Sequence, residues 1–157
     1  MMSVPITKEG KIKLQGELDK LKNTERPAII KAIAEARAHG DLSENAEYHS
    51  AKEKQGLIEA RIKELDSVLS GAQVIDPMAV GADGRCIFGS YVTLQDGEGK
   101  TIKYRLVSEY EADLEQGLLS APSPIGRALL GKYAGDSVVA QTPGGVQEYA
   151  IVAIAYE

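Results

Sequence analysis

The sequence predicts an α+β protein: a long N-terminal antiparallel α-helical hairpin of the coiled-coil kind, then a small C-terminal α+β domain with an antiparallel sheet. Three observations predict it. Residues 8–76 contain a single proline, Pro27, and are dense in Lys, Glu, Ala, Leu and Ile, which lose least on entering a helix. Apolar residues in that stretch recur in steps of three and four. Beyond residue 84 the period changes to that of strands, punctuated by glycine-containing turns.

In the first arm the stripe runs Leu14, Leu18 and Leu21 and then Ile30 and Ile33. The phase shifts near Pro27, so a kink or local break is predicted there. In the second arm the stripe runs Tyr48, Ala51, Gln55, Ile58, Ile62, Leu65, Leu69 and Ala72. Gln55, its polar member, reads as a pin on register. Gly40 suits a left-handed helix ending, and two arms joined around it form an antiparallel hairpin. An arm of about 28 residues spans about 42 Å at roughly 1.5 Å per residue, too long to bury against a compact domain. The hairpin is therefore expected to project and to seal its own interior. The predicted division is residues 1–76 for the hairpin, with its tip at 39–47, then a linker at 77–84 and the C-terminal domain at 85–157.

The segment GAQVIDPMAVGADG, residues 71–84, reads as a connector because of its Gly, Pro and Asp punctuation. After it, strands are predicted at 86–95 and 101–108 around DGEGK, and at 137–142 and 146–156 around PGG. Between them SPIGRALLG places Ser123 as N-cap of a short helix, Pro124 at its first position and Gly131 as its stop.

Composition excludes several classes of function. The net charge of −5 gives no whole-molecule attraction to phosphate backbones, so any nucleic-acid contact must be local. One Phe, seven Tyr and no Trp argue against an aromatic platform for single-stranded bases. The lone Cys86 offers no disulfide and no zinc spacing, which fits a reducing compartment. The N-terminus lacks the apolar core of a signal peptide, and no stretch approaches the roughly 20 apolar residues of a membrane span. A cytoplasmic protein is expected.

The candidate site is HGDLSENAEYH, residues 39–49, with Asp41, Glu44 and Glu47 and no Lys or Arg. Two compatible readings stand. Asp41-Leu42-Ser43-Glu44 loosely fits a capping box, and carboxylates in a first turn suit the helix dipole. Alternatively, Asp41 and Glu44 are oxygen ligands for a hard cation such as Mg²⁺. Two carboxylates make only a weak site, so the remaining ligands would come from whatever the tip enters. Glu47 is a weaker candidate on nearly the same helical face as Glu44. Ser43 and Asn45 could hydrogen-bond water or RNA, or be ordinary polar tip residues. Arg37 and Lys52 fall just below the tip, near each other across the two arms, either as solvated surface or as a small cationic patch. His39 and His49 lack a third soft ligand and read as surface. Tyr48 reads as packing.

These residues resemble the bacterial transcript cleavage factors, the GreA/GreB family. The resemblance runs in order through ITKEGKIKLQGELDKLK, IAEARAHG, GDLSENAEYH, GAQVID, IFGSYVTL, SPIGRALLGK and TPGGVQEYAIVAI. It implies a hairpin that enters the secondary channel of bacterial RNA polymerase and helps the polymerase cut the backtracked 3′ end of its nascent RNA. Asp41 and Glu44 would be the working pair, sharing a second Mg²⁺ with the polymerase and orienting the attacking water, in the logic of two-metal hydrolysis. The catalytic framework would be the polymerase's, so the chain would have no cofactor of its own and would hydrolyse nothing alone.

The same resemblance implies that Arg37 and Lys52 contact the RNA 3′ segment. Lys52 offers a point charge and not the planar fork of an arginine. Ser123 and Pro124 would anchor on the polymerase, with Pro122 departing from the polar or acidic residue associated with the family. The C-terminal domain also resembles the FK506-binding prolyl isomerases in fold, without the aromatic-lined pocket their activity needs. The patch is small and the total charge acidic, which points to the less basic of the family's two types. A monomer is expected, since the stripe is satisfied internally. Two rivals remain: a channel-binding inhibitor of the same architecture that does not promote cleavage, and a coiled-coil adaptor, which would need apolar residues at the tip beyond Leu42.

Overall fold

The computed structural model describes residues 4–40, 45–78 and 83–157. They fall into two compact units, Ile12–Gly71 and a second formed by Met1–Lys11 with Ala72–Glu157.

The first unit is the helical hairpin. Its leading arm is α1 (Lys8–Lys20), a π-helical turn at Leu21–Glu25, and α2 (Arg26–Arg37); its returning arm is α3 (Ala46–Ser70). The π turn is the predicted irregularity near Pro27, which sits in the first turn of α2. Proline has no N–H to donate and its ring crowds the carbonyl four residues back. The wider turn relieves this, with the Arg26 N–H reaching Leu21 O, five residues back. One inserted residue also rephases the stripe. Leu14, Leu18 and Leu21 reappear fifteen residues later as Ile29, Ile33 and Ala36, two heptads plus one residue. The apolar spacing predicts Ile30 in the seam, but Ile29 is buried there and Ile30 is 52% exposed.

Facing that arm are Ile58, Ile62, Leu65 and Val68 of α3. Val68, not Leu69, is the buried residue of the last turn. The expected register stops short of Ala72, because α3 ends at Ser70 and Ala72 begins strand β2 (Ala72–Val74). That strand pairs in parallel with β1 (Val4–Ile6), so the chain leaves this ribbon into α1 and comes back to it from α3. Exposed ion pairs link the two arms at Arg61 with Glu17, Lys22 with Asp66, and Arg26 with Glu59.

The second unit holds a five-stranded sheet ordered β5-β4-β3-β7-β6. Its strands are β3 (Tyr91–Gln95), β4 (Thr101–Val107), β5 (Leu118–Ser120), β6 (Ser137–Thr142) and β7 (Gly145–Ala155). Four strands are antiparallel, and the short β5 joins the edge of β4 in parallel. The DGEGK turn closes on Asp96, whose carboxylate accepts from the Glu98 and Lys100 N–H groups. Residues 86–90, expected to begin a strand, form a turn. The Ser90 hydroxyl accepts from the Ile87 N–H and donates to the Ile87 carbonyl, and Gly89 takes a positive φ of 87°. Side-chain bonds of this kind compete with ladder pairing.

Helix α4 (Pro124–Leu129) starts at Ser123, whose hydroxyl accepts from the Gly126 N–H, and delivers Leu129 to the core. That core is Cys86, Val92, Leu94, Leu106, Leu119, Leu129, Val138, Tyr149 and Ile151. Burial pushes the Cys86 thiol up to about 11, against a lowering hydrogen bond from Ser90.

A buried polar network lies in the same unit. Glu111 accepts hydrogen bonds from the Ser108 N–H (2.9 Å) and hydroxyl (2.6 Å) and from the Thr7 N–H (3.2 Å) and hydroxyl. Thr7 in turn caps α1 by accepting from the Gly10 N–H. Any Cβ at residue 10 would run into the Glu111 carboxyl, so glycine is the residue that lets the helix approach. Nearby, Arg105 donates to Gly89 O and pairs with Glu9 at 3.1 Å, its guanidinium lying 5.1 Å from the Tyr91 ring centre.

Candidate functional site at the end of the hairpin

Helix α2 gives out after Arg37, and the chain turns through Gly40 at φ 111°, a conformation that glycine adopts without a Cβ penalty. Asp41, Leu42, Ser43 and Glu44 follow and lie outside the described residues, and with them the acid pair and its cap. The chain resumes at Asn45, which caps α3: its side-chain oxygen accepts from the Tyr48 N–H at 3.1 Å. The amide nitrogen of the same side chain donates to Ala36 O at 2.7 Å, a carbonyl in the last turn of α2 that also accepts from the His39 N–H. Asn45 thus ties the two helix ends together across the loop. The sequence signal for it was an Asn before an apolar-periodic run, obscured by the D-x-x-E pattern just upstream.

Outside this tie the described residues flanking the loop, among them His39 and Glu47, are polar and exposed. His39 Nδ1 lies 3.4 Å from a Glu47 carboxylate oxygen, both side chains well exposed. The Tyr48 and His49 rings meet edge to face with centres 5.6 Å apart. Among the described residues no group of three or more His, Cys, Asp and Glu side chains is placed to hold a metal.

One turn further from the tip the two arms enclose a groove of about 460 Å³, lined by Ile30, Ile33, Ala34, Arg37, Lys52 and Gln55. Arg37 and Lys52, candidates from opposite arms, come together here. Among the described residues neither forms an ion pair with an acid; Lys52 Nζ donates to Gln55 Oε1 at 3.3 Å. Gln55 therefore bonds along its own helix, one turn away, and faces the groove. The groove is cationic on a chain whose net charge is −5. The apolar spacing assigns both Ile30 and Ile33 to the seam, so it gives no sign of this apolar side.

In the second unit the Ser123 hydroxyl is engaged on both sides, accepting from the Gly126 N–H (3.1 Å) and donating to Ser120 O (2.6 Å). Pro122 and Pro124 are exposed beside it. Ser123 fixes the start of α4, and the proline rings are what that start presents to solvent.

Residues 4–74 match the family described as transcription elongation factor, N-terminal, and residues 81–156 the one described as transcription elongation factor, GreA/GreB, C-terminal. The chain is 57% identical over 157 residues to transcription elongation factor GreA of Alkalilimnicola ehrlichii, with 99% of each chain covered. It is likewise 57% identical to the protein of that name from a Jannaschia species, again over 99% of both. Among solved structures, the GreA factor homolog 1 protein of Thermus thermophilus is 32% identical, covering 97% of this chain and 98% of that one, with a TM-score of 0.44. No described helix is long and apolar enough to cross a membrane.

Proposed function

Because this chain belongs to the GreA/GreB family of transcription elongation factors, we propose that it enters the secondary channel of bacterial RNA polymerase by its hairpin and stimulates the polymerase's own cleavage of backtracked RNA. The observation that carries this reading is the groove lined by Arg37 and Lys52, two cations without acidic partners among the described residues, in a chain whose next residues after Gly40 include Asp41 and Glu44. The cations hold the phosphates of the displaced RNA 3′ end. Asp41 and Glu44 supply oxygen donors, the chemistry Mg²⁺ prefers. Two donors do not complete a coordination shell, and the remaining ligands are the polymerase's. Asp41 and Glu44 would help hold such an ion, which would supply charge stabilisation for phosphodiester hydrolysis. The chain carries no cofactor and cuts nothing alone. The start of α4, with Ser123 and Pro124, docks on the polymerase, and the factor acts as a cytoplasmic monomer.

The test is a purified bacterial elongation complex, stalled and allowed to backtrack, with the protein and Mg²⁺ added. Short 3′ fragments should accumulate well above the polymerase-alone level. Asp41→Asn and Glu44→Gln should remove most of that gain while binding to polymerase persists. Absence of the fragments overturns the reading, and slowed elongation without fragments establishes the inhibitory rival in its place.

A further inference from the structure

Strand β6 forms one edge of the five-stranded sheet and pairs with β7 on one side only. In an antiparallel ladder every second residue turns its N–H and C=O away from the partner strand, so β6 presents an open row of donors and acceptors. Such edges are ordinarily guarded by charge or proline, and Ser137–Thr142, SVVAQT, carries neither along its length. Opposite residues of a ladder share a face. Val139 with Glu148, and Gln141 with Val146, therefore lie on the side away from the core that holds Val138 and Tyr149. Val139 is 59% exposed and Val146 65% exposed on that outer face. At its other end Gln95, Ala150 and Ser137 line up across three strands, and a pocket of about 170 Å³ opens beside them. Asp96 and Glu148 line this pocket, and no Lys or Arg does. Among the described residues neither acid forms an ion pair, and Asp96 accepts from the backbone of its own turn.

We propose that β6 accepts an added strand from an extended, basic segment of another protein, which sets an apolar side chain opposite Val139 and an arginine or lysine opposite Ser137, turned into the pocket. In strand addition the main-chain bonds supply affinity and the alternate side chains supply specificity. An added strand lies about 4.8 Å from β6, and the small Ser137 side chain leaves the way across to Glu148 and Asp96 open. Antiparallel pairing is the more stable arrangement per residue, and in that direction the segment reads apolar-x-basic. Charge complementarity selects this occupant. A second copy of the chain would bring a β6 edge with no cation and a net charge of −5 against the same acids. A nucleic acid would bring phosphates against them.

The experiment uses the full-length protein and a fluorescently labelled synthetic peptide of the pattern valine-x-valine-x-arginine, with threonine at x. Its counterpart carries glutamate in place of the arginine. Fluorescence anisotropy should show the arginine peptide binding about fivefold tighter than the glutamate peptide, the sum of an attraction gained and a repulsion avoided. Glu148→Lys should reverse that preference, and Val139→Lys should weaken the arginine peptide by about the same factor. In the parent protein, hydrogen exchange should slow at alternate amides within residues 137–142 when the arginine peptide is added. Amides of β5, the opposite edge, should keep their rates. No binding at millimolar peptide, or protection that appears away from β6, overturns the added strand. A preference unchanged by Glu148→Lys overturns the pocket as the seat of the basic side chain. A peptide-free dimer with β6 amides already protected also overturns the proposal, and gives the edge to a second copy.

Discussion

The hairpin and the C-terminal unit bury apolar side chains in different geometries. In the hairpin the interior is one residue deep, a seam of Leu14, Leu18, Leu21, Ile29, Ile33 and Ala36 against Ile58, Ile62, Leu65 and Val68, flanked by solvated ion pairs. In the C-terminal unit Leu94, Leu106 and Leu129 are wholly buried between the sheet and α4. A seam gives each residue helix on one side and water near the other. A closed core gives it neighbours all round, so the same deletion leaves a different void. A seam of this kind repeats turn by turn along the helices and needs no wider core.

The largest expected effect tests that contrast directly. Leu94→Ala should cost about 4 kcal/mol, near the top of the range for buried leucine, because surrounding strands cannot collapse onto the space. Ile62→Ala should cost about 2 kcal/mol, since helices can close up or water can reach the seam. Urea unfolding midpoints of the two variants measure the difference. Equal losses would mean that the seam is packed as rigidly as the core.

Next in size is the polar network. Glu111 is buried and accepts from donors only, on Thr7 and Ser108. Glu111→Gln turns one acceptor into an NH₂ group facing N–H and O–H donors and should cost about 2 kcal/mol. Among the described residues nothing comparable is buried in the hairpin, where the ion pairs are exposed. Arg61→Ala, which removes the links to Glu17 and Glu64, should change stability by at most about 1 kcal/mol. A larger loss there than at Glu111 would reverse the comparison.

At the tip, Asn45→Ala should cost about 1 kcal/mol, the usual worth of an N-cap. The informative readout is local. The amide of Tyr48, bonded to the Asn45 side chain, should lose protection in hydrogen exchange, while the amides of β3 and β4 keep theirs.

Much of this contrast was legible from spacing alone. The seam of α3 through Ile58, Ile62 and Leu65, the break before Pro27, and the Ser123 cap all follow from local chemistry that acts within one or two turns. What escaped depended on partners far away in the chain. The strand β2 exists only because β1 lies nearly seventy residues earlier to pair with it, and β5 only because β4 offers an edge. Nothing in the spacing marks Glu111 as buried, since its partner Thr7 lies about a hundred residues upstream. At the candidate site, the pairing of Arg37 with Lys52 followed from folding one arm onto the other. The aliphatic floor did not, because a one-residue π insertion decides whether Ile29 or Ile30 faces in, and composition carries no sign of it.

The smallest expected effect concerns the ionic edge of the C-terminal unit, and its pH dependence has a definite sign. Hydrogen bonding of the Glu9 carboxylate at its own backbone N–H in the first turn of α1, then the charge of Arg105, hold its pKa below the ordinary 4.5, with desolvation opposing. A carboxyl depressed in the folded state contributes stability above its unfolded pKa. That contribution is lost as the pH falls from about 4.5 through the folded value. The Glu9 side chain is 67% exposed, so screening limits the contribution to a few tenths of a kcal/mol. Glu9→Gln should therefore lower the urea midpoint slightly at neutral pH, and the gap to the parent protein should close as the solution is acidified through and below 4.5. A gap that stays constant with pH would assign the loss to packing of the glutamate stem, and would leave Arg105 held chiefly by Gly89 O and the Tyr91 ring.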